Sequence, residues 1–292
     1  MLNSFGSQAD ITVNSPSSMP TDDISSIQFH PQSDILAVAS WDQTISIYEV
    51  QQQIMPKSQT KLTAVPLDIE WVQDKLIAAA CADGTIQLYD LNTNSVVTIG
   101  KHEAGACGVN LANPTVIVTG GWDKYLRYWD INTKATIGQV LLSERVYCMD
   151  SYNSVVVAAT ADKNIHILHM NQPMQIMKTL QSTLKLQPRC ITIFRPNSNG
   201  FALGSIEGRC ALEYFEEKDQ SLKFSFKCHR EDTKNIYSVN CIRFHPIHGT
   251  FTTSGSDGAF HFWDKESKQR LKANVAKGLP ITCTIYLFSC VF

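Results

Sequence analysis

A chain of 292 residues with 43% apolar and 18% charged side chains has the composition of a globular protein with ample core, in one large β domain or two ordinary ones. Its formal net charge of −2 argues against a general nucleic-acid binder, which is usually strongly basic. No apolar run approaches the length of a membrane-spanning helix and no apolar h-region stands near the start, so neither a helical span nor a signal peptide is expected.

The average hides an asymmetry. Residues 1–180 carry 10 Lys/Arg against 17 Asp/Glu, a net of −7, and residues 181–292 carry 15 against 10, a net of +5. A basic surface facing an acidic partner and an uneven but solvated surface both explain this split. The nine cysteines, at 81, 107, 148, 190, 210, 228, 241, 283 and 290, form no C-x-x-C pair and mostly sit in apolar strand patterns, as small hydrophobes do. Together with the missing signal peptide they point to a reducing, intracellular compartment.

In chain order, residues 1–9 are small and polar, and a disordered extension is expected there. Asp10–Val13 reads as a short strand, followed by a Ser/Pro-rich loop over residues 14–23. From Ile24 a repeat sets in. Its clearest copy is Gly120-Gly121-Trp122-Asp123-Lys124-Tyr125-Leu126-Arg127-Tyr128-Trp129-Asp130, a strand end, a tight turn carrying an acid, and a second strand. Other copies begin at Ser40, Cys81, Thr160 and Gly255, with a degenerate one at Ser205. The turn acids are Asp42, Asp83, Asp123, Asp162, Glu207 and Asp257, spaced by 41, 40, 39, 45 and 50 residues. That period suits a four-stranded propeller blade. A second phrase fixes the register: Ile24–Pro31 returns as Val239–Pro246 and, more loosely, as Cys190–Pro196, each an alternating strand closed by proline.

The predicted architecture is an all-β propeller over residues 10–286, and it resembles the WD-repeat class through Trp129-Asp130, Trp263-Asp264 and the variants Tyr89-Asp90 and Tyr48-Glu49. Six complete blades and a truncated seventh are expected. Asp10–Val13 would give the seventh its outer strand and Ile281–Tyr286 its innermost one, with residues 287–292 an atypical apolar tail. Blades one and six would then expose edges, an invitation to aggregation.

No catalytic constellation stands out. The eight histidines, at 30, 102, 166, 169, 229, 245, 248 and 261, read as turn or packing residues, and no metal set, P-loop or nucleophile motif completes around them. A propeller hydrolase or lyase with a central-channel site would need convergent carboxylates or a nucleophile–base pair, and the sequence offers neither. The His–Ser/Thr–Trp–Asp network that holds many WD blades reads as partial: His102, Asp123 and Trp129 suit blade three, and His229, Asp257 and Trp263 suit blade six. Gly121 and Gly255 stand where a serine would sit.

The template breaks at Gly204–Arg209, where Glu213 takes the aromatic slot. Downstream come the aromatic and basic run Phe224–Arg230 and the basic end of blade six, Lys265–Lys272. Strand alternation with snorkelling lysines accounts for this pattern, and so does a basic rim around an apolar pocket suited to an acidic peptide. Here the match narrows. Phe201–Arg209, Phe224–Arg230, Ile236–Asn240, Phe244–Thr250 and Gly255–Gly258 resemble the Rae/Gle family of messenger-RNA export factors, over residues 10–285. The mitotic-checkpoint WD-repeat protein shares the phrases at Gly204–Arg209 and Phe226–Arg230 and is the nearest competitor.

The resemblance implies a non-enzymatic adaptor without cofactor, located at the nuclear pore and envelope, in the nucleus and also in the cytoplasm. It would bind the Gle-binding segment of an FG-repeat nucleoporin on one propeller face, with RNA as a further partner and no membrane insertion. The alternative is a spindle-checkpoint adaptor binding a kinase peptide by the same face. The groove it implies comprises Arg209, Phe224, Phe226, Lys227, Trp263, Asp264, Lys265, Lys268 and Arg270.

Overall fold

The computed structural model describes residues 15–172, 174–274 and 278–287. The strand expected at Asp10–Val13, the extension over residues 1–9 and most of the apolar tail lie outside the described residues. Within them, 24 strands form six four-stranded sheets, each of four consecutive antiparallel strands. Blade one is β1 (Ile24–Phe29), β2 (Ile35–Ser40), β3 (Thr44–Val50) and β4 (Ile54–Lys61). Blade two is β5 (Pro66–Gln73), β6 (Leu76–Cys81), β7 (Thr85–Asp90) and β8 (Ser95–Lys101). Blade three is β9 (Ala106–Asn113), β10 (Val116–Gly121), β11 (Tyr125–Asp130) and β12 (Ala135–Leu141). Blade four is β13 (Val146–Tyr152), β14 (Val155–Thr160), β15 (Asn164–His169) and β16 (Ile176–Gln181). Blade five is β17 (Pro188–Ile193), β18 (Gly200–Ser205), β19 (Arg209–Tyr214) and β20 (Phe224–Lys227), the last pair joined through a 3-10 turn at Glu217–Leu222. Blade six is β21 (Val239–Phe244), β22 (Thr250–Gly255), β23 (Phe260–Asp264) and β24 (Gln269–Asn274).

Each strand's composition matches its place in the blade. The second strands, such as Leu76–Cys81 and Gly200–Ser205, are buried almost throughout, because both their faces meet neighbouring sheets. The outer strands β4 and β24 are polar and mostly exposed. The core lies in the seams: Ile45 and Ile47 pack on Trp71, Ile77 and Tyr89 between blades one and two, and Phe194 and Tyr214 pack on Phe244, Phe251 and Trp263 between blades five and six. Successive innermost strands also lie against one another from β1 through β21. Asp68 joins three of them, its carboxylate accepting from Ser26 Oγ at 2.8 Å, Ile69 N at 3.0 Å and Val109 N at 3.1 Å. Asp150 does the same between blades four and five, accepting from Thr192 Oγ1 at 3.0 Å and Ile193 N at 2.7 Å.

This up-and-down order puts the turns between second and third strands, with their acids, at one end of the ring, together with the loops leading to the next blade. The turns between first and second strands lie at the other end. At the first end the five aspartates each brace their own turn, while Glu207 accepts from Lys185 N of the preceding loop instead. Asp42 accepts from Thr44 N at 2.9 Å and Thr44 Oγ1 at 2.6 Å, and Asp83 accepts from Thr85 in the same way. The residue after the acid adopts positive φ in all six blades: Gln43, Gly84, Lys124, Lys163, Gly208 and Gly258.

The blade network is complete where the sequence suggested it was partial. His102 bonds Asp123 through Nδ1 and Thr119 Oγ1 through Nε2, both at 2.8 Å, and Trp129 Nε1 donates to the same hydroxyl at 2.8 Å. In blade six His229, Asp257, Thr253 and Trp263 repeat the arrangement. The hydroxyl sits two residues before the glycine, on the same strand face. Gly121 is no missing serine: a Cβ there would lie 2.2 Å from His102 Nδ1 and 2.3 Å from Asp123 Oδ1. Glycine makes room for the His–Asp bond.

Ile281–Tyr286 was expected as an inner strand, but among the described residues it joins no sheet. It runs extended beside blade six. Ile281 N donates to Gly255 O at 3.1 Å, Asn240 Nδ2 donates to Ile281 O at 3.0 Å, and Thr252 Oγ1 donates to Tyr286 Oη at 3.1 Å. A ladder needs an antiparallel neighbour, and no described strand supplies one.

Candidate partner-binding groove

β20 divides the residues singled out from sequence into two groups, because a strand sends alternate side chains to opposite faces. Phe224 and Phe226 turn toward blade six. The Phe226 ring lies 4.3 Å from that of Trp263 and 5.9 Å from that of Phe224. Lys268 Nζ lies 4.9 Å from the centre of the Phe224 ring, and the Arg270 guanidinium lies 6.0 Å from that of Trp263. Cations over ring faces are held by the ring quadrupole while their charge stays in solvent. The result is an aromatic seam edged by Lys268 and Arg270.

Ser225 and Lys227 turn the other way, into a pocket of about 450 Å³ at the turn-acid end. Lys227 is paired in register with Arg209 across β19 and β20. Lys185, from the loop entering blade five, and Arg230, just past β20, complete a set of four cations around one carboxylate, Glu207. Glu207 Oε2 lies 3.7 Å from both Arg209 Nε and Arg230 Nη2, while Oε1 accepts from Lys185 N at 3.2 Å. Arg230 is held from behind, its Nε donating to Glu207 O at 2.9 Å. One carboxylate leaves this pocket with a surplus of positive charge. Such a concavity attracts carboxylates and phosphates.

The remaining residues stand apart. Lys265 is buried, its ammonium ion-paired with Glu266 and lying 5.2 Å from the Phe194 ring centre and 5.8 Å from that of Tyr214. Asp264 holds the turn after β23, accepting from Glu266 N at 3.0 Å and Ser267 Oγ at 2.7 Å. The Ser267 bond leads the interactions that keep its carboxyl below the usual range. Trp263 is largely buried and gives its Nε1–H to Thr253.

Sequence reasoning missed Lys185 and Arg230 as lining residues. Arg230 carried a signal, since it ends the alternating run Phe224–Arg230, whereas Lys185 lies in the loop between blades four and five, outside any repeated phrase, and reaches the pocket through its backbone bond to Glu207. Also missed were the convergent carboxylates. Asp68, Glu70 and Asp150 line the channel axis together with Arg195 and Arg243. Their signal was faint: charged residues at alternate positions of the innermost strands, as in Asp68 and Glu70 on β5.

Among the described residues one grouping has metal-ligand chemistry, His229, Asp257 and His261, with ligand atoms within 4.8 Å of one another. Both His229 nitrogens are already engaged, with Asp257 and with Thr253, so an ion would have to displace blade-holding bonds. Burial, then His229 and Arg270, hold the His261 imidazole down at about 4. The described cysteines are free thiols, and burial pushes those of Cys148 and Cys228 up to about 12, far from nucleophilic. No helix among the described residues is long and apolar enough to cross a membrane.

Family models match residues 27–152 as the Anaphase-promoting complex subunit 4 WD40 domain and residues 220–264 as the WD domain, G-beta repeat. The chain is 41% identical over 290 residues to the mRNA export factor GLE2 of Chaetomium thermophilum, covering 94% of this chain and 80% of that one. It is 39% identical over 287 residues to the Poly(A)+ RNA export protein of Schizosaccharomyces pombe, covering 95% and 80%. It is also 39% identical over 285 residues to the mRNA export factor rae-1 of Caenorhabditis elegans, covering 90% and 76%.

Proposed function

This chain belongs to the WD-repeat family of mRNA export factors, and on that premise we propose that it is a non-enzymatic adaptor in mRNA export that receives a short nucleoporin segment along β20, the outer strand of blade five. Its place of action is the nuclear pore. The observation that carries this reading is the imbalance in the pocket at the turn-acid end, where Lys185, Arg209, Lys227 and Arg230 surround the single carboxylate of Glu207. A peptide glutamate or aspartate entering there meets charge-assisted donors with fixed orientation. The aromatic seam on the other face of β20 offers apolar area beside Lys268 and Arg270 for flanking side chains.

An adaptor of this kind lowers no reaction barrier. Its task is to hold one chain against another, and a rigid ring of six sheets suits that task because the groove needs no closing motion. The two exposed seam cations, Lys268 and Arg270, also suit RNA phosphates, whose attraction weakens with salt.

Calorimetric titration of the folded chain with the Gle-binding segment of a nucleoporin tests the reading. Saturable binding that Arg209→Glu weakens at least tenfold, without lowering the melting temperature, is the expected result. A folded sample that does not bind the segment overturns it.

A further inference from the structure

The six innermost strands enclose an axial cavity of about 430 Å³, within the range of about 300–1,000 Å³ usual for small-molecule sites. Pro31, Pro246 and Ile247 line it at the end opposite the turn acids, so it is separate from the groove along β20. Its polar groups are sorted by wall. Asp68, Glu70, Asn110 and Asp150 come from blades two, three and four, Arg195 and Arg243 from blades five and six.

These groups are short of partners. The Glu70 carboxylate accepts only a 3.5 Å contact from Gln28 Nε2 among the described residues. The Arg243 guanidinium donates no hydrogen bond to any described residue, although it faces the cavity. Arg195 lies 3.5 Å from Asp150 Oδ1 and stacks 4.1 Å over the Tyr152 ring, but its Nη1 has no partner. Asn110, only 8% exposed, has an unpartnered Oδ1. Asp68 and Asp150 supply negative charge to Arg195 and Arg243, but their oxygens already accept from Ser26, Ile69, Val109, Ser151, Thr192 and Ile193, so the guanidinium donors gain only the 3.5 Å contact of Arg195. Polar groups removed from bulk water need hydrogen-bond partners, and here the Arg243 guanidinium, Arg195 Nη1, Asn110 Oδ1 and the Glu70 carboxyl face the cavity with donors and acceptors largely unused.

We propose that this axial cavity binds a small zwitterion, whose ammonium or guanidinium meets Glu70 and Asn110 and whose carboxylate or phosphate meets Arg195 and Arg243. Ordered water filling the channel is the competing occupant, and it would show no preference for molecules carrying both charges. Burial, then Asp68 and Asp150, push the Glu70 carboxyl up to about 8, so the empty site holds a proton at neutral pH. A bound cation takes that proton's place, and uptake at pH 7 releases it to solvent.

The test is calorimetry on the full chain with L-arginine, L-lysine and phosphoethanolamine, with agmatine and succinate as controls carrying charge of one sign only, in buffers of differing ionisation enthalpy. At least one zwitterion is expected to saturate the protein at least tenfold more tightly than either control, with proton release. Glu70→Gln keeps the shape of the protonated side chain, and it is expected to fold, weaken binding at least tenfold and abolish the proton release. Arg243→Lys keeps the charge but not the fork, and an intermediate loss is expected. No saturation by any of the three zwitterions, controls that bind as tightly, or binding undiminished in both variants overturns the proposal and leaves the channel to water. Nucleoporin-segment binding in the same samples is expected to be unchanged, so this outcome and that of the groove are read separately.

Discussion

The Phe226 ring sits 4.3 Å from the indole of Trp263, across the seam between blades five and six, and the same indole donates its Nε1–H to Thr253 Oγ1 at 3.0 Å. One side chain of the outer strand therefore leans directly on the bonds that hold the next blade. Phe226→Ala removes that support and opens a void beside Trp263. A loss of about 2 kcal/mol is expected in urea unfolding, below the about 3–5 kcal/mol of a fully buried phenylalanine because Phe226 is half-buried.

Thr253→Val keeps the shape of the residue and removes its hydroxyl. His229 Nε2 and Trp263 Nε1 then lose their shared partner inside the blade. A cost of about 2–3 kcal/mol is expected, and Thr119→Val in blade three should match it. Gly121→Ser, which restores the residue that the usual network pattern suggests, is expected to destabilise as well, because its Cβ would crowd His102 Nδ1. Equilibrium unfolding of the three variants checks this, and a stabilised Gly121→Ser would refute the steric argument.

The share of stability carried by three buried histidines is expected to fall on mild acidification, against an opposite share from Glu70, whose carboxyl burial holds up at about 8. Burial holds His102, His229 and His261 below the usual histidine range, and Asp123 and Asp257 only partly offset it for the first two. The unfolded chain takes up protons at these sites below about pH 6.5, while the folded chain resists them, so the histidines' share of stability is present above that pH and lost as pH falls toward 4. His261 alone accounts for about 2 kcal/mol between pH 7.5 and 5. Urea midpoints of the wild type and of His261→Gln at the two pH values isolate this share: the difference between the two proteins is expected to shrink by about 2 kcal/mol on going from pH 7.5 to 5.

Gln43 follows a turn acid at φ 72°, a backbone region where a Cβ is strained. Gln43→Gly is expected to raise stability by about 0.5–1 kcal/mol. Gly84→Ala, at φ 91° with carbonyl oxygens 2.5 Å from the added Cβ, should lower it by more. Thermal melts of the pair decide whether the turn conformation is the cause.

Lys227 and Lys265 separate recognition from scaffold. Lys227→Glu is expected to weaken binding of the nucleoporin segment at least tenfold and leave the melting temperature within a degree or two, since its side chain is exposed at the pocket. Lys265→Met, at a buried position between Phe194 and Tyr214, should alter stability and leave affinity unchanged.

Much of the ring was legible because its rules are local and repeated. The turn acids, the apolar second strands and the proline-closed first strands each recur at one period, and any single copy would have meant little. The blade network was misread because serine was sought at positions 121 and 255, when the hydroxyls lie two residues earlier on the same face. Lys185 joining Arg209 and Lys227 was not legible, since the pairing depends on how two blades meet. The channel charges were hidden as well: Glu70 and Arg243 are 173 positions apart, and only the curvature of successive blades brings them to one axis. Charge at alternate positions of a strand tells nothing about which other strand it will face.

Phe224, Ser225, Phe226 and Lys227 form one four-residue word whose alternate letters address different surroundings. Changes at the two phenylalanines are read by the packing of the ring, and changes at the serine and lysine by whatever visits the pocket. Selection for a new partner can therefore rewrite half of β20 while selection for a stable ring keeps the other half.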